Sequence, residues 1–188
     1  MNIAVYCSSK FGLDMRYIDL ARAVGHWIGD HGHTLVYGGV DAGLMHVVAM
    51  ACHHSGGRVV GVITRNFASM ADDVVDELVT TDDLSQRKSH MYRISDLHVV
   101  LPGGLGTIDE WMATLSQWVV DKREGVGMII ANIEGMYDAT LLQLRQLASS
   151  PFAGQHHLDA MAVATDTEQL LNALNVASPT PPRGAYRN

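Results

Sequence analysis

Short runs of β-branched and apolar residues alternate with longer amphipathic runs along nearly the whole chain, and that alternation limits the fold more than any other feature. Residues 3–7 (IAVYC) read as a buried strand, followed by the turn residues Ser8, Ser9, Lys10 and Gly12. Over 15–30, Ile18, Ala21, Val24, Trp27 and Ile28 recur at helical spacing, and Gly32 stops the helix. The same reading predicts further strands over 34–37, 58–64, 77–81, 97–101, 128–131 and 161–165. It predicts further helices over 44–54, 84–94, 107–120, 136–148 and 167–174. Strands that alternate with helices give a parallel sheet wrapped on both faces.

The expectation is therefore one α/β domain over 1–176, a doubly wound, Rossmann-like parallel sheet. Residues 177–188 carry three of the five prolines and are expected to form a disordered tail. In such sheets ligands bind beyond the carboxyl ends of the strands, where the strand order reverses. The loops after the strands, at 8–10, 38–43 and 102–107, are the ones to watch.

Composition removes several classes of function. Thirteen Lys and Arg against twenty Asp and Glu leave a net charge of −7. That balance does not suit a surface that neutralises nucleic-acid phosphates or anionic lipid, so no nucleic-acid or membrane partner is expected. No apolar run approaches the length of a membrane span, and MNIAVYCSSK lacks the pattern of a signal peptide. A cytoplasmic setting is expected. Cys7 and Cys52 are too few and too far apart for a cysteine zinc site. Ten histidines include the neighbours His53–His54 and His156–His157 and the group His26, His31 and His33, but none has metalloenzyme spacing. No metal is assigned.

The most specific segment is VVLPGGLGTIDEW, residues 99–111. A hydrophobic strand runs into three glycines, and Thr107 then opens a helix with Asp109 and Glu110 in its first turn. Glycines let backbone N–H groups approach an anion, and a helix N-terminus adds a favourable dipole. A plainer reading makes Thr107 an N-cap and Glu110 its capping-box partner. The segment YGGVDAGLM, residues 37–45, repeats the order of strand, glycines and helix start. The stretch SQRKSHMYRISD, residues 85–96, concentrates Arg87, Lys88 and Arg93 in an acidic chain. A dinucleotide fingerprint after the first strand is missing, as is a G-x-x-x-x-G-K-[ST] phosphate loop.

Taken together, YGGVDAGLM, QRKSHM and PGGLGTIDE resemble the Lonely guy (LOG) family of cytokinin-activating phosphoribohydrolases, whose bacterial members have often been called lysine decarboxylases. Pro102 to Glu110 satisfies every fixed position of the family signature PGGxGTxxE. The resemblance implies hydrolysis of the N-glycosidic bond of an N6-substituted adenosine 5′-monophosphate, or of AMP, giving free base and ribose 5-phosphate. It implies Arg87 and Glu110 as the catalytic pair. Gly103, Gly104, Leu105, Gly106 and Thr107 would hold the phosphate, with Ser8, Ser9, Gly38, Gly39, Lys88 and Met91 as further substrate contacts. It implies a homodimer and no cofactor.

The chain departs from the family pattern at Val40, where a third glycine is usual, at Leu84-Ser85 before the Gln-Arg-Lys run, and at Ser8 after the cysteine. These changes bear on the substrate more than on the reaction. A broad nucleoside 5′-monophosphate nucleosidase and a non-catalytic nucleotide- or cofactor-binding protein on the same fold stand as alternatives. A pyridoxal decarboxylase would need a Schiff-base lysine, and only Lys10, Lys88 and Lys122 are present. Trp111, Met112, Leu115, Trp118 and Val119 form an apolar stripe that reads as core, while a charged fraction of 18% fits a further buried surface.

Overall fold

A computed structural model describes residues 1–177. Its seven strands are β1 (Asn2–Tyr6), β2 (Thr34–Tyr37), β3 (Arg58–Thr64), β4 (Glu77–Thr81), β5 (Leu97–Val100), β6 (Met128–Ala131) and β7 (Met161–Ala164). They form one sheet in the order β4-β3-β2-β1-β5-β6-β7, with every pairing parallel. The chain winds outward from β1 to β4, crosses back to the centre, and winds outward again from β5 to β7. The reversal of direction falls between β1 and β5.

Period-2 alternation divides the strand side chains between two cores. Ile3, Val5, Leu35, Tyr37, Val99 and Ile129 face α1 (Met15–Asp30), α2 (Gly43–His54) and α7 (Thr167–Ala177). Ala4, Tyr6, Val36, Val62, Val100 and Ile130 face the other side. There they meet α3 (Leu84–Ile94), α4 (Leu105–Val120) and α5 (Asp138–Ala148), with the short α6 (His156–Asp159) beside them. Strands buried on both faces explain why they read as continuous apolar runs.

One polar group in the second core is His98 on β5, which is fully buried between Tyr6, Tyr92 and Trp118. Burial pushes its pKa down to about 3, so the ring is neutral. Its Nδ1 meets the Tyr6 hydroxyl at 3.1 Å, and that hydroxyl also meets Thr114 Oγ1 at 2.8 Å.

Every expected strand and long helix forms, with three informative differences at their ends. Helix α4 starts at Leu105 rather than Thr107, and α5 starts at Asp138 after a 3-10 turn at Ile133–Gly135. Another 3-10 turn, Arg65–Met70, and the short α6 fall where no element is expected. Ala177, the first residue of the expected tail, closes α7, and the rest of that tail, 178–188, lies outside the described residues. The stripe on α4 is largely core: Trp111, Leu115 and Trp118 are buried. No helix among the described residues is long and apolar enough to cross a membrane.

Candidate active site

The carboxyl ends of β1 and β5 meet where the sheet changes direction, and their loops are tied together. The Ser8 N–H donates to Pro102 O at 3.2 Å, and the Leu44 N–H donates to Ser8 O at 2.9 Å. The loops after β1 and β5 thus open onto one cleft, with Met45 of α2 at its side. Its volume is about 250 Å³, and it is lined by Ser8, Ser9, Lys88, Gly104, Leu105, Gly106 and Thr107 together with Arg87 and Glu110.

Helix α4 begins without a side-chain cap, because its N-cap is Gly104. Its first-turn N–H groups therefore lack the partner that a Ser, Asp or Asn would supply. Thr107 lies inside the helix and is not its cap, so the capping-box reading is set aside. Asp109 and Glu110 move correspondingly into the second turn. The Thr107 side chain packs onto Gly103, where a Cβ would collide with its hydroxyl, so this position requires glycine.

Two ion pairs join α3 to α4, one buried and one exposed. Arg87 Nη1 donates to Glu110 Oε1 at 2.7 Å, while Arg87 Nε donates to Val62 O at 2.8 Å. Residue exposures of 9% and 5% make this a desolvated pair. The next residues, Lys88 and Asp109, pair at 2.7 Å at the mouth, with the Asp109 side chain 55% exposed. Such a pair contributes about 0–1 kcal/mol and opens readily. Burial pushes the Glu110 carboxyl above its ordinary range, and the Arg87 charge and hydrogen bond pull it only part of the way back. Burial likewise pushes the Cys7 thiol at the edge of the cleft well up, which keeps it protonated.

A second, larger hollow of about 480 Å³ adjoins the first and shares Ser9, Lys10, Met45, Leu84, Arg87 and Gly106 with it. Its remaining wall is largely apolar: Phe11, Val40, Ala42, Ile63, Phe67 and Met70. Gly38 lines this second hollow, and a Cβ there would collide with the Arg87 guanidinium.

The structure brings together most of the residues expected at the site, but not all. Gly39 and Gly103 shape the loops without lining either hollow. Met91 is fully buried in the second core, so it is a packing residue where a substrate contact was expected. One turn along α3 from Arg87, the helix has already passed beneath the sheet. Phe67 and Met70 were missed. Both are about half exposed on a 3-10 turn, which only the structure shows, and no sequence motif singles them out.

Comparison with known proteins places the chain in a family. The family model described as possible lysine decarboxylase matches residues 45–174. The cytokinin riboside 5′-monophosphate phosphoribohydrolase LOG2 of Arabidopsis thaliana is 31% identical over 92% of this chain and 81% of its own length. LOG of Oryza sativa subsp. japonica, which carries the same enzyme name, is 34% identical over 81% of this chain and 64% of its own. Among solved structures, the molybdenum cofactor carrier protein of Chlamydomonas reinhardtii superposes with a TM-score of 0.72 at 20% identity, covering 94% of this chain and 96% of that one. At that identity the likeness establishes the fold alone. The family model spans most of the chain and the relatives match over most of both lengths; the chain belongs to the LOG family.

Proposed function

We propose that this protein is a nucleoside 5′-monophosphate phosphoribohydrolase that cleaves the N-glycosidic bond of AMP or an N6-substituted AMP and releases the free base and ribose 5-phosphate. The observation that carries the reading is the buried Arg87–Glu110 pair, held at 2.7 Å beside an uncapped helix N-terminus. A protein that only bound an anion would gain nothing from a carboxylate there. An enzyme that cleaves a glycosidic bond needs one.

In this reading the 5′-phosphate sits against the N–H groups of Leu105, Gly106 and Thr107, with the Thr107 hydroxyl as a further donor and Lys88 nearby as a cation. Glu110, a turn further along α4, then lies nearer the ribose. Bond cleavage builds positive charge at the sugar carbon. A carboxylate in a water-poor cleft stabilises that charge, and it can activate a water or attack the carbon directly. The pKa of Glu110, raised by burial, brings it closer to the range in which a general base works well. Arg87 does not release its proton near neutral pH, so its role is to fix Glu110 and meet the ribose hydroxyls.

The apolar hollow supports an N6 substituent of hydrocarbon character. Phe11, Val40, Met45, Phe67 and Met70 offer no complement to a charged group, and Val40 narrows the wall where relatives of the family pattern carry glycine. The older decarboxylase label finds little support: Lys88 is salt-bridged to Asp109 at the mouth rather than buried as a Schiff-base lysine. A homodimer is proposed as the assembled form.

The test is incubation of the protein with AMP, isopentenyladenosine 5′-monophosphate and both unphosphorylated nucleosides, with free base followed by chromatography. Release from a monophosphate and not from its nucleoside is the expected result. Bound AMP with no base released from any of them would replace the enzyme with a nucleotide carrier.

A further inference from the structure

On the outer side of the loop after β2, three side chains from separate parts of the chain converge on one point. Asp41 follows Gly38-Gly39-Val40, His46 lies in the first turns of α2, and Asp72 follows the 3-10 turn Arg65–Met70. His46 Nδ1 stands 3.0 Å from Asp72 Oδ2 and 3.1 Å from Asp41 Oδ1, and the three ligand atoms all lie within 4.8 Å of one another. A single ring nitrogen carries at most one hydrogen, so it can give a full hydrogen bond to only one of two such oxygens. Both separations from His46 match those between ligands of one small cation, because ligands about 2.1 Å from an ion stand about 3.0–3.4 Å apart, depending on the angle.

Charge and burial lead to the same point. The Asp72 side chain is fully buried, and buried carboxylates are normally paired with a cation or bound to a metal. Its ion-pair partner, His46, is shared with Asp41, and among the described residues no Lys or Arg pairs with either carboxylate. Tyr37 supplies a separate observation. Its hydroxyl, fully buried at the end of β2, makes no hydrogen bond of normal geometry, only a loose contact with Asp72, and Asp41 is also near it. A water held on a cation would give that hydroxyl a hydrogen bond of full strength.

We infer that Asp41, His46 and Asp72 form a site for one divalent transition-metal ion, separate from the cleft that holds Arg87 and Glu110. Two carboxylate oxygens and one imidazole nitrogen suit Zn²⁺ or Mn²⁺ better than the all-oxygen cations Mg²⁺ and Ca²⁺. The ion is a clamp. The Asp72 N–H donates to Gly39 O and the Asp41 N–H to Met70 O, each at 2.9 Å, and Val40 bridges Ala71. Metal at this point ties residues 70–72 to the loop 39–41 and so fixes Met70 and Phe67 as one wall of the apolar hollow.

The experiment uses the full chain, stripped with a chelator and titrated with Zn²⁺ against a chromophoric competitor, with Mg²⁺ in parallel. Expected is one Zn²⁺ per chain with a rise in Tm, no comparable rise with Mg²⁺, and binding at least about tenfold weaker in His46→Gln and in Asp41→Ala. His156→Gln, which alters an exposed histidine elsewhere, is expected to bind as the wild type does. Asp41 is largely exposed, so Asp41→Ala keeps the test valid should His46→Gln fold poorly. Failure to bind Zn²⁺ or Mn²⁺ below about 100 µM, or undiminished binding in Asp41→Ala, overturns the site. No substrate enters the measurement, so its outcome is independent of the hydrolase reading.

Discussion

Arg87 and Glu110 stand 23 positions apart on different helices, yet one guanidinium nitrogen of the first lies 2.7 Å from a carboxylate oxygen of the second. The contact closes over the carboxyl ends of β1 and β5, and Val62 O holds the arginine from the other side. The pair is a fixed part of the cleft wall, set before any ligand arrives.

Replacing Glu110 with Gln keeps the shape and removes the charge. Turnover of AMP or its N6-substituted analogue is expected to fall by about 10²–10⁴-fold, with AMP affinity little changed. Single-turnover base release beside calorimetric AMP binding reads the two apart. Substantial remaining turnover would remove Glu110 from the chemistry.

Arg87→Ala leaves the Glu110 carboxylate buried without its partner, which costs about 3–5 kcal/mol. Adding Glu110→Gln to that variant should recover a good part of the loss, because the stranded charge is gone. Urea unfolding of the two single variants and the double variant forms a cycle that measures this coupling.

The pH dependence follows from the direction of the Glu110 shift. Its pKa is raised in the folded chain, so the native state holds this proton more tightly than the unfolded state does. The stability it contributes is fully present below the ordinary carboxylate pKa and is lost as pH rises through the raised value. Glu110→Gln should flatten that part of a stability profile taken between about pH 4 and 8. In the wild type, activity that needs the ionised carboxylate should have its acidic limb above the range of a free glutamate.

Gly38→Ala should disable the site without unfolding the protein. Its methyl group collides with the Arg87 guanidinium, which cannot move without giving up Val62 O or Glu110. A displacement of this size can cost about 10²-fold in turnover. Steady-state kinetics should show the loss in kcat more than in KM, with circular dichroism unchanged.

Assembly is open to light scattering. The proposed homodimer should scatter with twice the 20.4 kDa of one chain at micromolar concentration. A clean monomer would remove that proposal.

The sheet was legible because strands buried on both faces leave unbroken apolar runs between turn residues, and each helix between them has its own period. The start of α4 was not. Threonine is a good N-cap and Leu-Gly resembles loop, so Thr107 looked like the first residue of a helix that in fact begins two residues earlier, at Leu105, with Gly104 as its N-cap. Arg87 and Glu110 could be singled out through the signature around them, but no spacing rule predicts that they touch. Met91 shows the reverse problem: four residues from Arg87 it shares a face of the helix, yet that face runs from cleft to core within one turn. The trio of Asp41, His46 and Asp72 gave no local pattern at all, because its third member arrives 26 residues after His46 on an irregular segment.

The strand order has one more consequence. The β1–β5 pairing joins residues more than ninety positions apart, Ile3 with Leu97 and Tyr6 with Val100, whereas β1–β4 and β5–β7 each pair with near neighbours in the chain. Loop-closure entropy makes this seam slow to form, and the cleft lies across it. Neither half of the chain completes the pocket by gathering its own strands: the apolar wall comes from the first half, and Arg87, Glu110 and the start of α4 from the second. Ligand binding thus reports that the β1–β5 seam has formed.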